Sequence, residues 1–199
     1  FNLPGAFPEA AQSEAEKLSQ ESVSARGRED FRDRTIITID GADAKDLDDA
    51  VSVRKLNSGY ELGVHIADVA HYVKEGSALD KEALYRGTSI YLADRVIPML
   101  PKPLSNGICS LSEGEERLTL SCIMSIDADG RVTGSKIAES IIKSKHRMTY
   151  SDVNAIFAGD KGLLEKYDDI ADMLAHMREL AQLLRKRREE KGSIDFEIE

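Results

Sequence analysis

Thr38-Ile39-Asp40-Gly41-Ala42-Asp43-Ala44-Lys45-Asp46-Leu47-Asp48-Asp49-Ala50-Val51 sets five aspartates within ten residues. Ile37-Thr38-Ile39 precedes the acids and Ala50-Val51-Ser52-Val53 follows them, and both stretches are β-branched and strand-forming. Aspartate is common in turns, so a solvated acidic turn is one reading. The flanking strands favour another, in which several of these acids are carried toward the end of a sheet. Clustered carboxylates repel, and burying them without compensation raises their pKa values and weakens the fold. A divalent cation removes that penalty. A ligand set of hard oxygens, without histidine or thiolate, suits magnesium, which keeps several waters and leaves room for a phosphate. Two such ions ~3.5–4 Å apart could activate water and stabilise a leaving oxygen. On spacing alone, the turn and the metal site both remain open.

Outward from this segment the pattern is that of an α+β fold, mainly antiparallel sheet with flanking helices. Strands are expected over Thr35–Ile39, Ala50–Leu56 and Tyr60–Val69, the last two joined by a turn at Asn57-Ser58-Gly59. A short helix fits Ser77–Arg86, closed by Gly87, and Ser89–Ala93 reads as extended. Three prolines between Ile97 and Leu111 argue against regular structure there. Leu118 to Ile126 alternates, turns at Asp127–Gly130 and returns through Val132–Ile142 as a second hairpin. Ser151 is placed to cap a helix running to Phe157. Apolar residues from Leu163 to Leu184 then keep helical spacing, which predicts one long C-terminal helix to Lys191, ended by Gly192. Residues 1–34 read as a lead-in rather than core.

The bulk numbers set limits. A chain of 199 residues that is 41% hydrophobic can bury a core. No apolar run approaches a membrane span and the start lacks a signal-peptide pattern, so a cytoplasmic protein with no membrane partner is expected. Cys109 and Cys122 are too few for a disulfide framework or a zinc site. A net charge of −9 runs against nucleic-acid binding by this chain alone. The first residue is Phe, and Ser193–Glu199 alternates as if a strand were under way, so an excised piece of a longer protein is expected, with any basic channel lying partly outside it.

The segment Thr38–Val53 resembles the active-site motif of the ribonuclease II and R family, with four aspartates ordered D-x5-D-x-D-D. Further stretches carry the resemblance: Gly27–Arg32, Val64–Val69, Arg86–Tyr91, Ile97–Pro101, Leu104–Leu111 and Lys191–Glu197. It covers essentially the whole chain. The resemblance implies 3′-to-5′ exoribonuclease activity on single-stranded RNA ends, releasing nucleoside 5′-monophosphates with magnesium, or manganese in its place. It divides the chain into a lead-in, 1–34, and the N-terminal half of the RNB catalytic domain, 35–199. It implies that Asp40, Asp46, Asp48 and Asp49 bind metal, Asp48 being the carboxylate most critical for turnover, and that Asp43 is a turn residue outside the pattern. Tyr91 falls where the family has an aromatic that stacks on a base; without the resemblance it would read as a core tyrosine. Arg28 and Arg32 are RNA-contact candidates, with pairing to nearby acids the safer reading. His65 and His71 read as structural histidines, and Asp68 as a support of the sheet or the site. The family's later Arg- and Pro-containing motif, second aromatic and catalytic glutamate have no match here, nor do its flanking RNA-binding modules. A non-catalytic RNA-binding relative is the alternative, and a plain acidic metal-binding domain a second. The intact aspartate set argues against the non-catalytic relative.

Overall fold

The β-branched segments form a seven-stranded sheet in the structure, a computed structural model that describes residues 3–193. Its strands are β1 (Glu29–Asp30), β2 (Ile37–Asp40), β3 (Asp49–Leu56), β4 (Gly59–Ala67), β7 (Glu116–Ile126), β8 (Val132–Lys143) and β9 (His146–Thr149). The intervening β5 (Ile90–Tyr91) and β6 (Val96–Ile97) make a separate two-stranded ladder. Spatial order in the main sheet is β1-β8-β7-β4-β3-β2-β9. The hairpins β3–β4 and β7–β8 are antiparallel, as expected. Both edges are parallel, however: β1 on β8 and β9 on β2. These edge pairings join residues far apart in sequence, and neither short edge strand carries enough alternation of its own to announce them.

The helices are α1 (Glu9–Leu18), α2 (Val69–Tyr72), α3 (Ala78–Arg86), α4 (Tyr150–Phe157), α5 (Lys161–Lys166) and α6 (Ala171–Glu190). Ser77 caps α3 by accepting the Asp80 N–H, and Gly87, at φ 75°, ends it. Thr149, not Ser151, caps α4 by accepting the Asp152 N–H. The long C-terminal helix is interrupted. Helix α5 stops before Tyr167, a turn of 3-10 helix spans Asp168–Ile170, and α6 starts anew. The break is fixed from outside: Lys145 and His146 hold the Asp169 carboxylate at 2.9 and 3.0 Å, while Tyr167 and Ile170 are buried. Helix α6 ends as expected, with Gly192 at φ 93°. The proline-rich stretch also departs from expectation, forming one π-type turn over Leu104–Ile108. Pro103 stands just before it, where a missing N–H does no harm. Residues 194–199, where a further strand was expected, lie outside the described residues.

Two apolar clusters hold the elements together. One joins Leu79, Leu104, Leu111 and Ile141 with Ala11 and Ala15 of α1 and Phe31. The lead-in therefore contributes to the core, contrary to the reading of residues 1–34 as outside it. Alanines four residues apart let α1 sit close to its neighbours while giving little hydrophobic signal, and Glu14 secures it by accepting the Leu79 N–H at 3.0 Å. The second cluster packs Ile37, Val53 and Met148 against Ile170, Leu174 and Leu180. Among the described residues, no helix is long and apolar enough to cross a membrane.

Candidate active site

Strand β2 ends on Asp40 and β3 begins on Asp49, so the loop between them carries Asp43, Asp46 and Asp48. The two strands pair at Ile37 and Val51, below the loop. Loop backbone groups are satisfied by other parts of the chain. Ser110 Oγ donates to the Lys45 carbonyl at 3.0 Å and accepts the Leu47 N–H at 3.2 Å. The Leu111 N–H reaches the Leu47 carbonyl at 2.8 Å, and the Ala67 N–H the Asp48 carbonyl at 2.9 Å. Arg147 of β9 donates from Nη2 to the carbonyls of Ala44, at 2.5 Å, and Ala42, at 3.2 Å. Buried Leu47 pins the middle of the loop into the first apolar cluster.

The four expected acids sense one another. The Asp40 carboxyl is raised above the usual range by burial, then by the charges of Asp49 and Asp46, with Arg147 opposing. Its Oδ2 is buried and has no hydrogen-bond partner. The Asp48 carboxyl is also raised, by desolvation first and then by Asp46, Asp49 and Asp40. Asp48 keeps solvent access at the surface, so water moderates the effect without reversing it. Asp43 is exposed and perturbs neither carboxylate.

Tyr91 stands at this site, 68% exposed as a residue, with its hydroxyl donating to Asp46 Oδ2 at 3.1 Å. That bond raises the phenol pKa. It is not a core tyrosine. A cavity of ≈ 270 Å³ opens beside Asp46 and Asp48, walled by Ile66, Met99, Ser105 and Cys109. Burial and the Asp48 charge push the Cys109 thiol up to about 12, which keeps it protonated and unsuited to act as a nucleophile.

The two arginine candidates are engaged elsewhere. Arg28 is 6% exposed at its side chain, bonded to Asp68 at 2.6 Å and to the carbonyls of Thr119 and Ser140. Arg32 pairs with Asp30 at 2.5 Å and Glu116 at 2.9 Å. Ion pairing therefore accounts for both. His65 and His71 are structural: His65 is fully buried among hydroxyls, and His71 lies against Arg28 and Tyr72. Asp68 supports the sheet through Arg28 and caps α2 by accepting the His71 N–H. Arg147 and the anchoring role of Ser110 were not evident from the sequence, because nothing local to either residue points to a loop 65 to 105 residues away.

The donor set fits a divalent cation in its chemistry. Four oxygen-donating carboxylates share one sheet end, Asp40 and Asp48 are raised by their neighbours' charges with only Arg147 opposing at Asp40, and one buried oxygen lacks any partner. Among the described residues, no three acidic, histidine or cysteine side chains converge into a ready-made metal cage.

This end of the mixed sheet thus presents four carboxylates and an exposed aromatic beside a cavity. The chain belongs to the RNB domain family, whose model matches residues 28–199. It is 55% identical to ribonuclease R of Thermotoga maritima over 194 residues, which is 96% of this chain and 27% of that protein. It is 54% identical to ribonuclease R 1 of Lactococcus lactis, over 99% of this chain and 24% of that protein. Among solved structures it resembles Mycoplasma genitalium RNase R in complex with ribose methylated single-stranded RNA, with a TM-score of 0.87 and 31% identity, covering 98% of this chain and 31% of that one. The chain thus spans about a quarter of the length of the curated relatives it matches.

Proposed function

We propose that this chain supplies the carboxylate side of an exoribonuclease site that hydrolyses RNA from a single-stranded 3′ end to nucleoside 5′-monophosphates. The observation that carries the reading is the buried, partnerless Asp40 Oδ2 beside acids whose charges raise both Asp40 and Asp48. Asp40, Asp46, Asp48 and Asp49 would hold magnesium, or manganese in its place. When bound, the metal supplies charge neutralisation and an activated water for in-line displacement at phosphorus.

The protein's own groups do the rest. Asp48, at the cavity mouth, orients the attacking water. Tyr91 offers its exposed ring to a base while its hydroxyl bond to Asp46 fixes the ring's position. Arg28 and Arg32, being paired, serve the scaffold rather than the RNA. Similarity to an RNase R whose complex holds single-stranded RNA supports the choice of substrate.

The test is degradation of a 5′-labelled RNA with a single-stranded 3′ overhang by the full-length protein, with magnesium and with chelator. Stepwise shortening that needs magnesium and disappears in Asp48→Asn, with RNA binding retained, is expected. Normal turnover by Asp48→Asn would remove the role given to Asp48, and intact RNA under all conditions would favour the non-catalytic relative.

A further inference from the structure

The acid loop is held by contacts whose purpose the proposed function leaves unassigned. The loop is a stretch of acid-rich chain between Asp40 and Asp49, and strands β2 and β3 pair only below it, at Ile37 and Val51. Something else must keep the loop closed. Two side chains from distant elements grip its backbone. Arg147, half-buried on β9, bridges the carbonyls of Ala42 and Ala44 through one guanidinium nitrogen. Ser110, 1% exposed, bridges the Lys45 carbonyl and the Leu47 N–H.

We propose that Arg147 and Ser110 are positioning residues that clamp the backbone of residues 42–47 and so hold Asp46 and Asp48 in place for a shared divalent cation. The inference rests on the metal-binding reading above. Arg147 is itself braced. Its strand pairs with β2 from Ile37 through Asp40, and its N–H is accepted by Glu113 at 2.8 Å. The guanidinium is therefore delivered from the same edge that carries Asp40. Groups one step removed from a metal commonly set its affinity by orienting the ligands, with effects of roughly 10- to 100-fold.

Lysine in place of Arg147 separates position from charge. It keeps the positive charge near Asp40, but its nitrogen stops one bond short of the guanidinium nitrogen that reaches both carbonyls. The experiment uses the whole chain and Arg147→Lys, Arg147→Met and Ser110→Ala. Mn²⁺ affinity is read by electron paramagnetic resonance and amide hydrogen exchange is read across residues 42–47. All three variants are expected to lose roughly tenfold in Mn²⁺ affinity and to exchange faster in the loop, with protection in β7 and β8 unchanged.

If Arg147→Lys matches the unsubstituted chain in both readouts while Arg147→Met does not, charge alone matters and the Arg147 clamp is wrong. Unchanged loop exchange in both Arg147→Lys and Ser110→Ala overturns the whole proposal. Ser110→Ala leaves β9 untouched, so the test survives even if the arginine variants fail to fold. Should the unsubstituted chain bind no Mn²⁺, the metal reading fails by itself, and loop exchange still decides whether the clamp exists.

Discussion

His65 Nδ1 and Ser121 Oγ lie 2.6 Å apart in a site closed to solvent, at the start of a run of buried polar side chains. Ser52 meets the other ring nitrogen at 3.2 Å, and Ser121 continues to Ser140 at 2.6 Å and through it to Thr119 at 2.8 Å. The run crosses β3, β4, β7 and β8 directly behind the acid-bearing end of the sheet. Each hydroxyl is satisfied by a neighbour, which is what makes a polar seam tolerable inside the fold.

That seam makes stability depend on pH. Burial, with the Arg34 charge behind it, lowers the His65 imidazole to about 4. Between pH 6.5 and 4 the unfolded chain takes up a proton that the folded chain refuses, so stability is complete above 6.5 and falls as the pH drops through that window. The loss should be on the order of 3 kcal/mol. Urea denaturation at pH 7.5 and at pH 5, compared with His65→Gln, measures it; an equal pH response in the two proteins would remove His65 as the cause.

Gly63 leaves the space in which Ser52 and His65 meet. A Cβ there would press on Ser52 Oγ and come within 2.9 Å of His65 Nε2. Gly63→Ala should therefore destabilise the chain by about 1–3 kcal/mol through overpacking. A thermal melt unchanged from that of the parent would show that the seam yields without penalty.

Asp68→Ala leaves the Arg28 guanidinium buried without its counter-charge and strips the cap from α2. Removing one partner of a buried pair costs about 3–5 kcal/mol. Asp68→Ala with Arg28→Met should recover part of that loss, and a double variant no more stable than the single would argue against the pair.

The acid cluster gives the opposite pH sign from His65. Raised folded-state pKa values at Asp40 and Asp48 mean that protonation relieves the fold, so their contribution is favourable at low pH and lost as pH rises through those values. In chelator at pH 7.5, Asp40→Asn should raise the melting temperature, by roughly 2–4 °C if the gain is about 1 kcal/mol. It should also abolish any further stabilisation by magnesium. A lower melting temperature would mean that Asp40 is not under repulsion.

Tyr91 should matter through its ring more than its hydroxyl. Tyr91→Ala is expected to weaken single-stranded RNA binding by about 1–3 kcal/mol, whereas Tyr91→Phe keeps most of the affinity and loses only the Asp46 bond. Fluorescence anisotropy with a labelled oligonucleotide separates the two. Equal loss in both variants would point to the hydroxyl.

The hairpins, the caps of α3 and the acidic segment were legible because their signals are local: alternation, Ser77 and Gly87, and five aspartates in one short run. What was not legible depends on partners remote in the chain. His146–Thr149 is a strand because β2 is waiting for it, and the helix breaks at Tyr167 because Asp169 is drawn to Lys145 and His146. The apolar spacing runs through that break uninterrupted, so periodicity alone could not place it. Helix α1 gives little signal in the sequence because its buried face is made of alanines, Ala11 and Ala15. Arg28 and Arg32 carry no local sign of their ion-pair partners Asp68 and Glu116, which lie 40 and 84 residues further along the chain.

Arg147 and Ala42 are 105 residues apart in sequence. A chain still being synthesised therefore displays its five aspartates long before the strand that restrains their loop has emerged. Contacts of such separation close slowly, since the entropy of a long intervening segment is lost before the pairing rewards it. A nascent chain from which Arg147 has yet to emerge accordingly carries the charges without the architecture that would make them useful.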